Sequence, residues 1–238
     1  DVYKRQYKLV IQSLKFILIT KLIMLDLKEV TYQPQTGNKK IIDNISLSVH
    51  ENEIILICGS SGSGKTTLLE IISGLTIPQK GRITWKNKTI SARQRRWISG
   101  VVFQFPERYF LGTTIGKELK IGHKSLREKN IEIVLKKVGL SGINLTQPPE
   151  QLSGGQQRRL AVAVQLMRNP TILLLDEPTA GLDWSMKNEI KNLVLNLKNK
   201  NTIIIVTHEP SLFEGIPSKI LNIESGKIKK LLNKNHGG

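Results

Sequence analysis

The segment 59–66 combines a flexible backbone, one lysine and one hydroxyl in a pattern suited to holding phosphate. It reads Gly-Ser-Ser-Gly-Ser-Gly-Lys-Thr, after the apolar run 54–58 and before a helical pattern over 66–73. Glycines let the backbone turn its N–H groups toward phosphate oxygens, while Lys65 adds positive charge and Thr66 a hydroxyl for Mg²⁺. The nucleotide-binding residues predicted here are Gly59, Ser60, Ser61, Gly62, Ser63, Gly64, Lys65, Thr66 and Thr67.

Residues 152–156 read Leu-Ser-Gly-Gly-Gln and predict the start of another helix. Ser153 followed three residues later by Gln156 is a capping-box pattern, and two glycines leave room for an anion at the backbone N–H groups. Arg158 and Arg159, cations in the early turns, would oppose the helix macrodipole unless an anion bound nearby. Taken alone, the pattern also fits an ordinary capped helix. The nucleotide-binding residues predicted here are Ser153, Gly154, Gly155 and Gln156.

Two adjacent acids follow a run that is typical of a buried strand. Residues 172–175 are Ile-Leu-Leu-Leu, and Asp176 and Glu177 come directly after them. Such a strand delivers them to the carboxyl end of a parallel sheet, where ligands of these folds bind. Asp176 is predicted to hold Mg²⁺, directly or through water, and Glu177 to polarise an attacking water molecule.

Two further polar residues follow apolar runs of strand length. Residues 202–206 lead to His208, and residues 100–103 lead to Gln104. Taken alone, His208 would be interpreted as a loop residue, but the other motifs favour a role at the same sheet edge. The amide of Gln104 can meet Mg²⁺ or the attacking water. The predicted catalytic residues are Glu177, His208 and Gln104, and the predicted Mg²⁺ residues are Thr66, Gln104 and Asp176.

In their order, these motifs resemble an ABC-type nucleotide-binding domain over about residues 24–230. The resemblance implies an ATPase that binds ATP and Mg²⁺ in a head-to-tail dimer, where the signature helix of one subunit covers ATP held by the other. The matching positions are Tyr32 (the aromatic that stacks on adenine), Gly59 to Thr66 (Walker A), Gln104 (Q-loop), Leu152 to Gln156 (signature), Asp176 and Glu177 (Walker B), Asp183 (D-loop) and His208 (switch histidine).

Within that family, residues 102–107 and Phe110 resemble the Q-loop region of energy-coupling-factor ATPases, the A subunits of vitamin and transition-metal importers. The chain departs from that group at Tyr109, where Gln is common, and at Trp184, where Pro is usual. The resemblance implies an importer ATPase whose partners are a second ATPase subunit, identical or paralogous, and a transmembrane subunit. Residues 107–112 would face the membrane partner.

Three alternatives remain open from the sequence. An ABC exporter ATPase would share every catalytic motif and differ mainly around residues 105–112. A soluble ABC protein acting on DNA, RNA or cofactor assembly fits less well, because DNA-repair members carry a long coiled coil and translation members carry two cassettes. A kinase or GTPase with the same phosphate loop is disfavoured by the signature at 152–156.

The predicted fold class is α/β, a P-loop NTPase with a mixed, mostly parallel core sheet, an antiparallel β subdomain and an α-helical signature subdomain. Segments 25–32, 45–50 and 82–90 are expected to form the antiparallel part. A helical insertion is expected over about 113–165, with one amphipathic helix marked by the apolar positions Ile131, Val134, Leu135 and Val138.

Residues 24–238 are predicted to form one ABC ATPase domain, and residues 1–23 a non-native or disordered extension, with Met24 as the natural start. Leu14 to Ile19 is too short and too interrupted by charge to span a bilayer. We expect the protein at the cytoplasmic face of a membrane, or the equivalent stromal face of an organelle.

The formal net charge of +17 would suit binding to nucleic acid or to an anionic membrane surface. The lysines are dispersed, however, and aromatic residues make up only 5% of the chain. A solvated basic surface is therefore favoured over membrane attraction and over nucleic acid, and no direct nucleic-acid binding is expected. Cys58 is the single cysteine and is interpreted as a small buried apolar residue. One cysteine and four histidines do not support a zinc site.

Overall fold

An antiparallel sheet forms the first layer of the fold. The computed structural model describes residues 23–122, 128–198 and 200–233, so the predicted extension 1–23 lies outside the described residues except for Ile23. The strand order is β2-β1-β4-β5, and β1 pairs antiparallel with both β2 and β4. The strands of this sheet are β1 (Ile23–Tyr32), β2 (Ile42–His50), β4 (Lys80–Trp85) and β5 (Lys88–Thr89).

The second sheet has six strands in the order β10-β9-β3-β8-β7-β6. The five strands from β9 to β6 are parallel, and β10 pairs antiparallel with β9 at one edge. The predicted mixed, mostly parallel core sheet is therefore confirmed. Its strands are β3 (Ile54–Cys58), β6 (Ser99–Val102), β7 (Ile172–Asp176), β8 (Thr202–Thr207), β9 (Lys219–Glu224) and β10 (Lys227–Asn233).

Helices cover the core sheet and connect its strands. The α-helices are α1 (Lys65–Ser73), α2 (Ala92–Ile98), α3 (Ile115–Lys120), α4 (Glu128–Lys137), α5 (Gly154–Met167) and α6 (Trp184–Leu197). Short 3₁₀ helices lie at Pro106–Tyr109, Pro149–Gln151 and Pro210–Phe213. Helix α1 ends at Gly74, whose left-handed backbone (φ 80°) lets its N–H bond back to the last turn. Among the described residues, no helix is long and apolar enough to cross a bilayer.

The central strands are apolar on both faces because each face packs against a different layer. In β3, Ile55 and Ile57 belong to the cluster under the antiparallel sheet and α1, while Ile54 and Leu56 belong to the cluster under the helical region. Strands β7 and β8 are buried along their whole length. Because β3, β8 and β7 are adjacent and parallel, their carboxyl ends lie at the same edge of the sheet.

The described residues between β6 and β7 contain helices and no strand, in line with the predicted helical insertion. The four positions expected to mark one amphipathic helix are all buried, and they place α4 and its C-terminal turn against the core. Glu118 on α3 is also buried, and its carboxylate accepts hydrogen bonds from the N–H groups of Leu111 (2.8 Å) and Gly112 (2.6 Å). That carboxylate fixes the loop after the first 3₁₀ helix. The division of the chain into domains stays a prediction.

Candidate functional site

The loop between β3 and α1 has the backbone geometry that its glycines predict. Gly59, Gly62 and Gly64 have φ angles of 153°, 74° and 103°, in the region that side chains rarely adopt. A methyl group at Gly59 would lie 2.2 Å from the Ile223 carbonyl oxygen, so any side chain there would displace the backbone. The loop therefore closes tightly and directs the N-terminus of α1 toward the sheet edge.

Lys65 is the first residue of α1 and is buried, with its ammonium folded over the loop. Its Nζ donates to the carbonyl oxygens of Gly59 and Ser60, both at 2.9 Å. A buried ammonium beside a helix N-terminus forms a site of positive potential. The loop therefore has the charge and the donors to bind a phosphate chain.

A cleft of about 580 Å³ lies directly over this loop. It brings together side chains from the loop, the end of β7, the end of β8 and the segment after β6. The lining residues are Ile41, Ser61, Gly62, Gly64, Lys65, Thr66, Thr67, Gln104, Glu177 and His208. Hydroxyls, an ammonium and backbone N–H groups on its floor fit a nucleoside triphosphate.

Thr66 lines both the cleft and a neighbouring groove beside α5, and it contacts Asp176, which lines the groove. The Thr66 hydroxyl donates to Asp176 Oδ1 at 3.2 Å across 110 residues of sequence. Burial raises the pKa of the Asp176 carboxyl above its ordinary value of 3.8, and the Thr66 hydrogen bond opposes the rise. The described residues contain no group of three or more acidic, His or Cys side chains able to hold a metal. This donor set fits Mg²⁺, which takes few protein ligands and completes its shell with water and phosphate oxygens.

Glu177 and His208 are in direct contact, although they come from different strands. Glu177 Oε2 lies 2.8 Å from His208 Nδ1 and accepts a second bond from the His208 backbone N–H at 3.3 Å. Glu177 has a left-handed backbone (φ 46°) and is buried, whereas the His208 side chain is 57% exposed. The Glu177 carboxylate is thus held at the cleft wall by a histidine whose side chain is largely exposed to solvent.

Not every predicted nucleotide residue reaches this cleft. Tyr32 packs against the cluster under the antiparallel sheet and is absent from the lining, although its carbonyl accepts from the N–H of Ile41. Ile41, which belongs to no recognised motif, lies over Gly64 and lines the cleft instead. An apolar residue beside a strand start carries no local signal of ligand contact. The adenine role of Tyr32 stays a prediction.

The signature residues form the predicted capping box but lie outside the cleft of the same chain. Ser153 Oγ accepts from the Gln156 N–H at 3.3 Å, and Gln156 Oε1 accepts from the Ser153 N–H at 2.9 Å. Neither these residues nor the two glycines between them line the cleft. The described chain therefore separates the phosphate loop from the signature helix, as expected for a site that needs two copies.

Comparison with protein families matches residues 42–180 to the family described as ABC transporter. The chain belongs to the ABC transporter family. This ABC protein is similar to ABC transporter I family member 11, chloroplastic, of Arabidopsis thaliana, with 33% identity over 86% of this chain and 79% of that protein. It is also similar to the energy-coupling factor transporter ATP-binding protein EcfA2 of Acetivibrio thermocellus, with 36% identity over 80% of this chain and 72% of that protein.

Solved structures of ABC cassettes share the fold. The cbiO1 structure from Clostridium perfringens, described as part of the transporter complex cbiONQ, gives a TM-score of 0.81 at 29% identity, over 89% of this chain and 88% of that one. The cassette MJ0796, solved as a dimer in a post-hydrolysis state bound to ADP and Pi, gives a TM-score of 0.77 at 28% identity. The match covers 90% of this chain and 100% of that one. This ABC protein is therefore an ATPase with a P-loop NTPase fold, and a kinase or GTPase is excluded.

Proposed function

We propose that this chain is the ATP-binding and ATP-hydrolysing subunit of an ABC importer of the energy-coupling-factor type, driving uptake of a vitamin or a transition-metal ion. The observation that carries its mechanism is the separation of the phosphate loop from the signature helix within one chain. Two chains, identical or paralogous, are needed to enclose ATP. The similarity to EcfA2 and cbiO1, together with the Q-loop residues 102–107, supports the importer subtype.

ATP would bind with its phosphates on the loop 59–66, and the signature residues of the second subunit would cover the γ-phosphate. Thr66, Asp176 and Gln104 would hold Mg²⁺, which neutralises phosphate charge when bound. Glu177 would take the proton of the attacking water, and His208 would hold that carboxylate and meet the γ-phosphate. Loss of the γ-phosphate removes the contact that joins the two subunits, so hydrolysis would reopen the dimer.

The surface around residues 105–112 is proposed to contact the transmembrane subunit. Tyr109 is 61% exposed and Leu111 is 80% exposed, beside a groove between the Q-loop segment and α5. Large apolar side chains that are exposed in one short segment favour a protein contact, and the Glu118 carboxylate fixes the backbone of that segment at Leu111 and Gly112. The ATPase would then sit at the cytoplasmic face of the membrane, with no direct contact to nucleic acid.

The test of this proposal is Glu177→Gln in the full chain with Mg²⁺ and ATP. We expect turnover to fall by about 10² to 10⁴, because the amide cannot accept the proton of water. ATP affinity should stay within about threefold, and light scattering should detect a dimer that depends on ATP. Glu214→Gln, an exposed residue outside the cleft, is the matched control and should keep wild-type turnover.

Two results would contradict the proposal. Wild-type turnover in Glu177→Gln would remove Glu177 as the base. A chain that stays monomeric with ATP and blocked hydrolysis, both alone and with a paralogous ATPase, would remove the shared site. Transport direction is tested separately, by reconstituting the ATPase with a multi-span partner in vesicles, where ATP-driven export would support the exporter alternative.

A further inference from the structure

A buried arginine on α5 has no role in the proposed mechanism of ATP hydrolysis. Arg158 is on the second turn of α5 and is only 3% exposed. Its Nη2 donates to the Ala180 carbonyl oxygen at 2.8 Å, while Nε and Nη1 have no hydrogen-bond partner among the described residues. Burying a guanidinium with unused donors is costly unless another group meets it. Buried polar groups in proteins usually have hydrogen-bond partners, so two unpaired nitrogens on the Arg158 guanidinium are unusual.

The aromatic ring of Phe105 lies against this guanidinium. Arg158 Cζ is 5.3 Å from the ring centroid, within the range of a cation–π contact. Phe105 has a left-handed backbone (φ 54°) directly after Gln104, and a methyl group at Gly181 would lie 3.2 Å from its ring. Phe105 is half-buried and lies between Arg158 of α5 and the turn after Glu177, in a backbone conformation that bulky residues rarely adopt.

A half-buried carboxylate lies near Arg158. Glu107 belongs to the 3₁₀ helix after Phe105, and its Oε2 is buried without a hydrogen-bond partner among the described residues. That short helix packs against α5. Burial lowers the pKa of Arg158, and the charge of Glu107 opposes the change. Two opposite charges, each with unused hydrogen-bonding capacity, therefore lie on two segments that are in contact.

Arg158 consequently belongs to one segment that carries predicted site residues and contacts two others. Its own helix begins at the signature, the ring it contacts follows Gln104, and the carbonyl it binds lies in the turn after Glu177. We propose that Arg158 is a positioning residue that couples these three segments, and that Glu107 takes up its free N–H groups when the segments rearrange with ATP. This inference rests on the proposed function, since it assumes ATP-driven rearrangement of those segments.

The experiment compares the full chain with Arg158→Met, Arg158→Lys and Glu107→Gln. We expect Arg158→Met to lower kcat by about tenfold with KM for ATP within about threefold, because the phosphate loop is untouched. Lysine keeps the charge but lacks the planar fork, so Arg158→Lys should recover only part of kcat. Arg168→Met removes an exposed arginine at the end of the same helix and should keep wild-type kcat.

A double-mutant cycle makes the test specific for coupling. Glu107→Gln should lower kcat on its own, and adding it to Arg158→Met should cause no further fall, since both changes remove the same contact. If the two effects multiply, the partnership with Glu107 is wrong. If Arg158→Met lowers only the free energy of unfolding, with kcat of the folded protein unchanged, its role is structural and the inference is overturned.

The controls separate this inference from the proposed function. If Arg158→Met does not fold, Arg158→Lys and Glu107→Gln carry the test, and unchanged kcat in both overturns the inference. A wild-type chain that neither binds nor hydrolyses ATP, alone or with a paralogous subunit, would overturn the proposed function itself. Normal wild-type turnover with unaffected variants would overturn only the coupling role of Arg158.

Discussion

Two neighbouring acidic residues at the end of β7 have unusual surroundings or an unusual backbone conformation. Asp176 is a buried carboxylate whose one side-chain hydrogen bond comes from Thr66. Glu177 has a left-handed backbone conformation, and its carboxylate contacts the His208 ring at 2.8 Å. Such strain and desolvation concentrate at functional sites, where a ligand offsets them. By contrast, burial raises the pKa of the Cys58 thiol to about 11, so that thiol stays protonated and apolar in character at neutral pH.

The raised pKa of Asp176 gives a prediction for Asp176→Asn. In wild type, the protonated Asp176 carboxyl makes a favourable contribution to the free energy of unfolding. This contribution is complete below pH 3.8 and is lost as pH rises through the folded-state pKa of Asp176. An asparagine side chain stays neutral at every pH, so the variant does not lose this contribution. We therefore expect Asp176→Asn to raise the midpoint of thermal unfolding at pH 7, by an amount that shrinks as pH approaches 3.8. Calorimetry of both proteins over that pH range measures the difference.

The same substitution should weaken metal-dependent turnover. We expect the Mg²⁺ concentration for half-maximal ATP hydrolysis to rise by about tenfold or more, because an amide is a poorer ligand than a carboxylate. A variant that is less stable than wild type at pH 7, or that needs no more Mg²⁺, would contradict this account of Asp176.

At the level of elements, two helices begin with the same chemical cap but face different surroundings. Ser153 and Gln156 form a capping box on α5, and Ser91 and Gln94 form one on α2. Local hydrogen bonding therefore stabilises both helix starts in the same way. Only the α5 start carries the signature glycines that are proposed to bind phosphate, so the two caps allow structural and functional roles to be separated.

Ser153→Ala and Ser91→Ala are a matched pair for this purpose. Each should lower the free energy of unfolding by about 1 kcal/mol, the usual cost of a lost N-cap. Only Ser153→Ala should weaken ATP-dependent dimerisation of the Glu177→Gln background, which light scattering measures. Equal effects of both changes on dimerisation would show that helix stability, and not phosphate contact, explains the importance of the signature serine.

For the whole molecule, a buried ionic cluster joins the two sheets. Lys219 Nζ donates to the Ser48 carbonyl oxygen at 2.7 Å and lies 3.3 Å from Glu53 Oε1, and both charged side chains are buried. Glu53 also accepts from the His50 N–H at 2.9 Å. The cluster thus links the end of β2, the entry to β3 and the start of β9, and none of its residues lines the cleft.

Lys219→Met should destabilise the whole chain by about 3 kcal/mol, because it leaves the buried Glu53 carboxylate without its cation. Denaturant unfolding of the full chain measures this loss. Lys86→Met is the matched control, since Lys86 pairs with Glu51 at 2.9 Å with both side chains about half exposed. That change should cost less than about 1 kcal/mol. Similar losses in the two variants would show that the buried cluster does not hold the sheets together.

The sequence by itself determined the features that depend on local spacing. The phosphate loop, the capping box at Ser153 and the acids after β7 follow from residues that lie next to one another in the chain. Glycine conformations, helix caps and apolar strand runs are set by short-range sterics and hydrogen bonds. These features were enough to indicate an ATPase of the ABC type.

Only the tertiary structure decided which of these features meet. Strand β8 lies between β3 and β7, so Glu177 reaches His208 and Thr66 reaches Asp176. The tertiary structure also placed Ile41 in the cleft and buried the side chain of Arg158. Strand order and burial arise from packing between residues far apart in the chain, and no local pattern records that packing.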